Sequence, residues 1–565
     1  MINAPFLVFF IGAAIAMAVP GRSERSGRLR KIVMLVVPLT GLINLLTLDQ
    51  TTVWQLQWLN LDLVLFTSDR LSFIFGILFH IAAIIAIIYA WHVKDRSQQA
   101  VALLYPGSAL GIVFAGDFLT LFVFWECLAL TSVFFITARA TPRAIKSAIR
   151  YLVFQVVSGV LLLTGSLLMF HQTGSIAIGP LDMTDPWAIF FLLAFGIKAA
   201  FPMLHNWLTD AYPEATVSGT VFLGAFTTKV AVYVLARTFT GLDALIYIGM
   251  AMACFPIFYA VIENDLRRVL SYSMINQIGF MVCGIGIGTE LAVNGAVAHA
   301  FNDVIFKSLL MMSMGAVLLR TGDMRASSLG GLFRTMPKTT VLCLVGAASI
   351  SAFPLFSGFV SKSMVMAALL LEGHEFVWLA MLFASAGVFH HAGIKVPYFT
   401  FFAHDSGLRP AEAPRHMLIA MSIAAALCIF IGSFPQLLYR HLPFAVDYVP
   451  FALPHVVEQV QLLMFAALAF IWLQLKNIYP AELKSTNIDS EWLYRKFWPA
   501  IYTTACAIAQ KLHLGINGFV SATVTMLTPT ARKQFYDLLM PWSVRTMLMV
   551  VMAFLGVVLG LFNLV

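Results

Sequence analysis

The chain has 565 residues, of which 60% are hydrophobic and 11% charged, with a formal net charge of +8 and a mean hydropathy of +0.88. A soluble domain of this length carries about a quarter charged residues, so a soluble enzyme is excluded. Apolar runs recur along nearly the whole chain, each long enough to cross about 30 Å of hydrocarbon, and they predict an all-α polytopic membrane protein with about 14–16 transmembrane helices.

The first run, PFLVFFIGAAIAMAV, lacks a basic n-region and is followed by Arg22, Arg25, Arg28, Arg30 and Lys31. It reads as an uncleaved span rather than a secretory signal. Spans are predicted at 3–20, 32–48, 71–91, 101–116, 118–138, 148–170, 187–201 (continuing past 213), 219–237, 243–262, 272–288 and 293–319. Others follow at 339–371, 377–403, 416–434, 456–475 and 544–563. With the N-terminus outside, nearly all Lys and Arg between spans fall on one side, and the other side holds Arg70, Arg237 and Arg440. By the positive-inside rule the basic loops face the cytoplasm. The positive charge is therefore a topology signal, and nucleic acid is not expected as a partner.

No linker divides the chain. Residues 1–100 read as a three-helix leader and 101–405 as a core of about ten spans. Residues 406–475 read as C-terminal helices, and 476–565 as a polar, aromatic cytoplasmic-side segment plus a final span. Two segments of the core are similarly worded: KAAFPMLHNW (198–207, with Pro202) and ISAFPLFSGF (350–359, with Pro354). Such paired interruptions point to inverted repeats around a midplane ion site, although Pro also kinks ordinary membrane helices. The six cysteines form no CxxC pair and read as small core residues. Phosphate-loop, dinucleotide and haem-attachment motifs are missing, and the histidines match no zinc set, so neither cofactor nor metal is expected.

The unusual chemistry is the ionisable residues inside spans. Each charge at a bilayer centre costs about 2.5–3.5 kcal/mol on insertion scales. Lys198, Lys229, Lys307, Lys362 and Lys395 together would then cost about 12–17 kcal/mol, as much as the whole stability of a typical fold. A single such lysine is explained by snorkelling near a span end; five are not. Lys362, beside an interruption, is the one most easily read as local structure. Only Glu126 and Asp303 are acids well inside spans, so some amines have no carboxylate in this chain. An unpaired amine in a low dielectric gives up its proton readily, which makes it a proton carrier.

Glu126 lies between Trp125 and Cys127, and its expected partner is Lys198 or a basic residue of a neighbouring subunit. Pro202 has no N–H to offer the Lys198 carbonyl. His205, seven residues on, would share a face with Lys198 in an unbroken helix, predicting a polar seam. HAFNDVIFKSLLMM places His299, Asp303 and Lys307 in one stripe. Its bland reading is a self-neutralised Asp303–Lys307 pair; His299 favours a relay. HHAGIKVPYF adds His391 and Lys395. In chain order, Glu126, Lys198, Lys229, His299, Asp303, Lys307 and Lys395 form a candidate hydrophilic axis.

FWECLAL, GIKAAFPMLHNWLTDAYPEA, TTKVAVYVLAR, ENDLRRVLSYSMINQIGFM, HAFNDVIFKSLL, SISAFPLFSGFVSK and AGIKVPYFTFF, in that order, resemble the antiporter-like subunits of respiratory complex I and of Mrp-type cation/proton antiporters. DAYPEA, TKVAVY and SEWLYR resemble the D-type branch of the Mrp subunits most. The resemblance implies two inverted five-helix repeats, each with a broken helix, and proton movement along a central lysine row. It implies a glutamate–lysine pair at Glu126 and Lys198, a central lysine at Lys229, a His/Lys helix at His299 and Lys307, and a terminal lysine at Lys395. Two departures stand out. Asp303 occupies the place of a second histidine, and WLTDAYPEATVSG replaces a proline-rich PTPVSA stretch.

The expectation is a proton-translocating subunit of a multi-subunit Na+ or K+/H+ antiporter in the bacterial inner (cytoplasmic) membrane, surrounded by lipid and other membrane subunits. One alternative is a pumping subunit of a complex I-like oxidoreductase or membrane-bound hydrogenase. Another is a structural membrane subunit that conducts nothing.

Overall fold

The computed structural model describes residues 4–19, 24–48, 52–58, 61–480, 482, 483, 487, 489–508, 510 and 511; the span predicted at 544–563 lies outside them. Among these residues, eleven helices are long and apolar enough to cross a membrane, with four shorter apolar helices beside them. The protein is a multi-pass helical membrane protein.

Helices α1 (Pro5–Ala18) and α2 (Glu24–Thr47) lead into a hairpin of β1 (Trp54–Trp58) and β2 (Leu61–Phe66), then α3 (Arg70–Tyr89) and α4 (Arg96–Phe114). The hairpin is antiparallel and was hidden by reading for apolar runs. Its signal is the period-two alternation of WQLQW, which belongs to a strand. Next come α5 (Phe118–Thr137), α6 (Pro142–Thr173), α7 (Ala188–Ala199), α8 (Asn206–Ala211), α9 (Gly219–Ala225) and α10 (Thr227–Thr238). The second half has α11 (Asp243–Ile262), α12 (Leu266–Ile287), α13 (Glu290–Thr321), α14 (Pro337–Ile350), α15 (Ser357–Leu371) and α16 (Glu375–Val388). From α16 the chain runs on through π-helical turns at Phe389–Lys395 and Tyr398–Phe402. It ends with α17 (Arg415–Ser433), α18 (Gln436–Tyr439) and α19 (Leu453–Leu475).

Several spans start where the sequence supplies an acceptor for the free N–H groups of the first turn. Asp69, Asp95, Asp117 and Asp265 cap α3, α4, α5 and α12, and Thr141 caps α6 ahead of Pro142. Gly174, Gly288 and Gly322 end α6, α12 and α13 in the left-handed conformation that glycine adopts freely. Basic loops meet one another at one end of the bundle: Arg139 and Arg143 reach Glu214, and Arg320 donates to the Glu412 carbonyl. The opposite end is joined by Arg237–Asp69 and by Asn294 with the Phe444 backbone.

Helices α12 and α13 form the buried centre. Helix α12 approaches α11 to backbone contact, because a Cβ on Gly279 would lie 2.5 Å from the Ala253 nitrogen and one on Gly249 2.4 Å from the Cys283 nitrogen. The described residues up to Asn487 form one compact unit; among the described residues after it, Arg495 pairs with Glu491 at 3.1 Å. Of the cysteines read as core, Cys506, which lies after Asn487, is exposed.

Both interrupted segments break in the same way. Ala200 and Met203 have φ of +65° and +69°, and Ala352 and Leu355 have +57° and +72°. Phe201 N–H donates five residues back to Gly196, and Phe353 N–H to Ala348. Helix α7 enters from the end opposite the basic loops and α14 from the basic end, so the breaks run in opposite directions. A non-glycine residue in this region costs about 1–2 kcal/mol, and a β-branched one costs more. Ala200→Val and Ala352→Val are therefore each expected to lower the thermal midpoint in detergent by several degrees, ~1–2 kcal/mol, whereas glycine at either position is tolerated. An unchanged midpoint in the valine variants would remove the conformational argument.

Candidate functional site

Lys198 sits on the last turn of α7, fully buried. Its Nζ donates to the Trp125 carbonyl at 3.3 Å and lies 4.1 Å from the centroid of the Trp125 ring. Trp125 is held by its Nε1, which donates to Ser158 Oγ, which donates in turn to the Ala194 carbonyl. Among the described residues, Glu126, the expected partner, makes no ion pair with Lys198, and its buried Oε1 has no hydrogen-bond partner. That oxygen rests against the bare Cα of Gly159 on α6, where a Cβ would stand 1.6 Å from it.

The helix face that Lys198 and His205 were expected to share is interrupted at Ala200 and Met203. The two left-handed residues between them turn the chain, so spacing on an unbroken helix no longer applies. His205 instead packs on Phe255, ring centroids 4.7 Å apart, and the Ile197 carbonyl at the break accepts from Trp207 Nε1 at 2.8 Å. The acids of WLTDAYPEA are anchors. Asp210 takes Arg150 through two nitrogens at 2.8 and 3.0 Å, and Glu214 takes Arg139 and Arg143. Buried Arg267 donates to the carbonyls of Tyr212, Ala215 and Thr216. These contacts restart the chain into α9 without the proline-rich stretch.

In the centre, Lys229 of α10 and Asp303 of α13 form an ion pair of 2.5 Å, both side chains fully buried. Asp303 thus reaches across to α10 rather than along its own helix. Lys307 donates to Ser273 Oγ on α12 at 2.9 Å. His299 bridges two helices, with Nδ1 3.0 Å from Ser361 Oγ on α15 and Nε2 3.1 Å from Gln277 Oε1 on α12. Gln277 then donates to Asn276 Oδ1 at 2.7 Å.

Lys362 stands on α15, buried. Its Nζ donates at 3.3 Å to the Ile350 carbonyl, the one that Pro354 deprives of its usual donor. A cavity of about 390 Å³ reaches Lys362 and is also lined by Asp447, Tyr448, His455 and Glu458. These loop and α19 residues place its other wall at the end opposite the basic loops. Lys395 lies apart from this cavity, on the π-helical turn, with Glu482 at 2.9 Å. His391 is buried one turn before it.

Glu126 and Lys198 therefore occupy one locus, Lys229, His299, Asp303, Lys307 and Lys362 a second, and His391 and Lys395 a third. Reading by residue type missed the polar residues that join helices in the second: Ser273, Asn276 and Gln277 of SYSMINQ, and Ser361. The available signal was a run of amides and hydroxyls in a span with hardly any exposed residue. No cluster of metal-ligating side chains occurs among the described residues.

Gly159→Ala is expected to push the Glu126 carboxylate from its place while leaving α6 helical, and, if Glu126 serves the ion movement that the resemblance implies, to cut it at least ~10-fold. Ion flux per assembled complex in vesicles checks this; Gly159→Ala with wild-type flux contradicts it.

The description "NADH:quinone oxidoreductase/Mrp antiporter, TM" belongs to the family whose profile matches residues 115–387. The D-type subunit of the Na(+)/H(+) antiporter of Alkalihalophilus pseudofirmus is 28% identical over 347 residues, 56% of this chain and 70% of that one. The Mrp complex from Dietzia sp. DQ12-45-1b contains a chain that superposes with a TM-score of 0.75 at 24% identity, covering 98% of this chain and 62% of that one. A chain of the membrane-bound sulfane sulfur reductase, an archaeal respiratory membrane complex, gives 0.72 at 21% identity and 99% coverage of both. At these identities the two structures establish the fold. By its motif order, broken helices and buried lysines, the core of this chain, residues 115–387, belongs to the NADH:quinone oxidoreductase/Mrp antiporter transmembrane family, and the chain is similar to antiporter-like membrane subunits.

Proposed function

We propose that this chain moves protons across the cytoplasmic membrane as one subunit of a multi-subunit Na+ or K+/H+ antiporter. The observation that carries the reading is the buried Lys229–Asp303 pair, flanked by amines that have no carboxylate of their own. Lys198 is held by a carbonyl and a ring face, Lys307 by a hydroxyl and Lys362 by a carbonyl. Each of these is a weak partner for an ammonium ion, so each amine is free to trade its proton.

In this mechanism Lys198 alternates between Glu126, with which it has no closed contact at rest, and proton exchange toward Lys229. A proton arriving at the Lys229 locus loosens its hold on Asp303. The proton is handed on through Lys307 and the Gln277–His299–Ser361 bridge. Lys362 is the exit, because a cavity runs from it to the end with few basic residues. That end is the outside if the basic loops face the cytoplasm. His205, Pro202 and Pro354 serve the geometry of the breaks.

Relatives named as antiporter subunits, and the motifs shared with the D-type branch, support the antiporter reading. A second reading, a pumping subunit powered by redox partners, is supported by the end-to-end superposition on a chain of the sulfane sulfur reductase complex. Both use the same residues. The test is cation-dependent proton flux in everted vesicles carrying the chain with its native partners. Lys198→Ala and Lys362→Ala should each reduce flux at least ~100-fold with normal assembly. Unchanged flux in both would refute proton transport through this subunit. Flux that requires an electron donor rather than a cation gradient would select the second reading.

A further inference from the structure

The basic end of the second repeat holds a built site that the row through Lys362 does not use. Lys395 Nζ donates to the carbonyls of Val261 at 2.6 Å, Glu263 at 2.7 Å and Ala260 at 3.3 Å, all at the C-terminal end of α11. Its fourth neighbour is Glu482 Oε1 at 2.9 Å. Glu482 lies beyond α19, outside the spans. It forms part of the wall of a cavity of about 340 Å³ with Ser327, His404, Gln474 and Asn477. Ser327 and His404 belong to loops of the basic end, so this cavity lies at the end opposite the one that reaches Lys362. Burial raises the Glu482 carboxyl above the usual carboxylate range, against the pull of Lys395, and so favours its taking up a proton.

Four residues before Lys395, on the same π-helical turn, stands His391. It is fully buried, with the Gly387 carbonyl as a backbone partner for its ring. A neutral imidazole donates from one nitrogen and accepts at the other. It is therefore suited to accept a proton on one nitrogen and release another from the second. The charges of Lys307 and Lys395 both act on His391. A π-turn of this kind interrupts regular helix hydrogen bonding and is frequent where function needs it.

We infer that Glu482, Lys395 and His391 form a proton inlet from the basic-end cavity into the Lys307–His299 locus. The inference rests on the proton-transport reading. The Glu482 carboxylate takes a proton from cavity water. Lys395 gives one of its three protons to the free nitrogen of His391 and is refilled from the Glu482 carboxylic acid. His391 then passes the proton from its other nitrogen to the neutral Lys307 amine. Glu482, Lys395 and His391 each end with the proton count they began with, and one proton has moved inward to Lys307.

The experiment measures proton flux per assembled complex in vesicles for Glu482→Gln, Glu482→Asp and His391→Gln, beside Lys198→Ala and Thr173→Ala, an exposed residue at the end of α6. Glu482→Gln and His391→Gln should lose at least ~10-fold in flux, Glu482→Asp should recover most of it, and Thr173→Ala should be unaffected. Wild-type flux in Glu482→Gln and His391→Gln, with Lys198→Ala inactive, overturns the inlet and leaves proton transport standing. Wild-type flux in all of them overturns the transport reading itself. A lowered thermal midpoint in Glu482→Gln with undiminished flux per complex shows a structural clamp on α11 and also overturns the inlet. If Glu482→Gln does not assemble, His391→Gln alone decides: wild-type flux overturns the inlet.

Discussion

A lysine and an aspartate, 2.5 Å apart and wholly enclosed by helices, hold the middle of this molecule. Removing two charges from water costs several kcal/mol per ion, and their attraction offsets it only with good geometry. The bundle is arranged around that requirement. Helix α12 packs to backbone distance on α11 through Gly249 and Gly279. Helix α13 passes through the centre, and α10 is set by the turns that follow the first break. Within this enclosure further amines are placed on carbonyls, hydroxyls and ring faces. Such partners satisfy hydrogen bonding without fixing charge, and that is the property a proton path needs.

The two broken helices make the enclosure possible. Each places two left-handed residues around a proline, and each frees carbonyls that an unbroken helix would have used. In the second repeat Lys362 takes up the freed Ile350 carbonyl, so a residue readable as local structure is also the amine at the end of a cavity. In the first repeat Trp207 occupies a carbonyl at the break, and arginines secure the return. Arg150, Arg139, Arg143 and Arg267 together hold the DAYPEA segment by both its acids and its carbonyls.

Much of this was legible in the residues. Membrane spans, the doubled interruption and the excess of buried amines over acids follow from composition and from the positions of Lys and Pro. Other features depend on neighbours that sequence order does not reveal. The spacing of Asp303 and Lys307 suggested a pair along one helix, but the packing of α10 on α13 offered Asp303 a closer partner. His205 was placed with Lys198 by a periodicity that the positive-φ residues between them cancel. Glu126 sits by Lys198 in the motif, yet its seat depends on a missing side chain at Gly159, and an absent Cβ has no pattern of its own. Glu482 was lost in a polar stretch because nothing local marks it as the partner of a membrane lysine.

The central claim is that the Lys229–Asp303 pair serves proton movement and not only packing. A double-substitution cycle separates these roles: Lys229→Leu, Asp303→Leu and the pair together, each measured for thermal stability and proton flux in assembled complexes. Either single change should strand a buried charge and cost about 3–5 kcal/mol. The double change should regain most of that stability while flux stays abolished. A double variant that is stable and also carries protons at the wild-type rate would contradict the account.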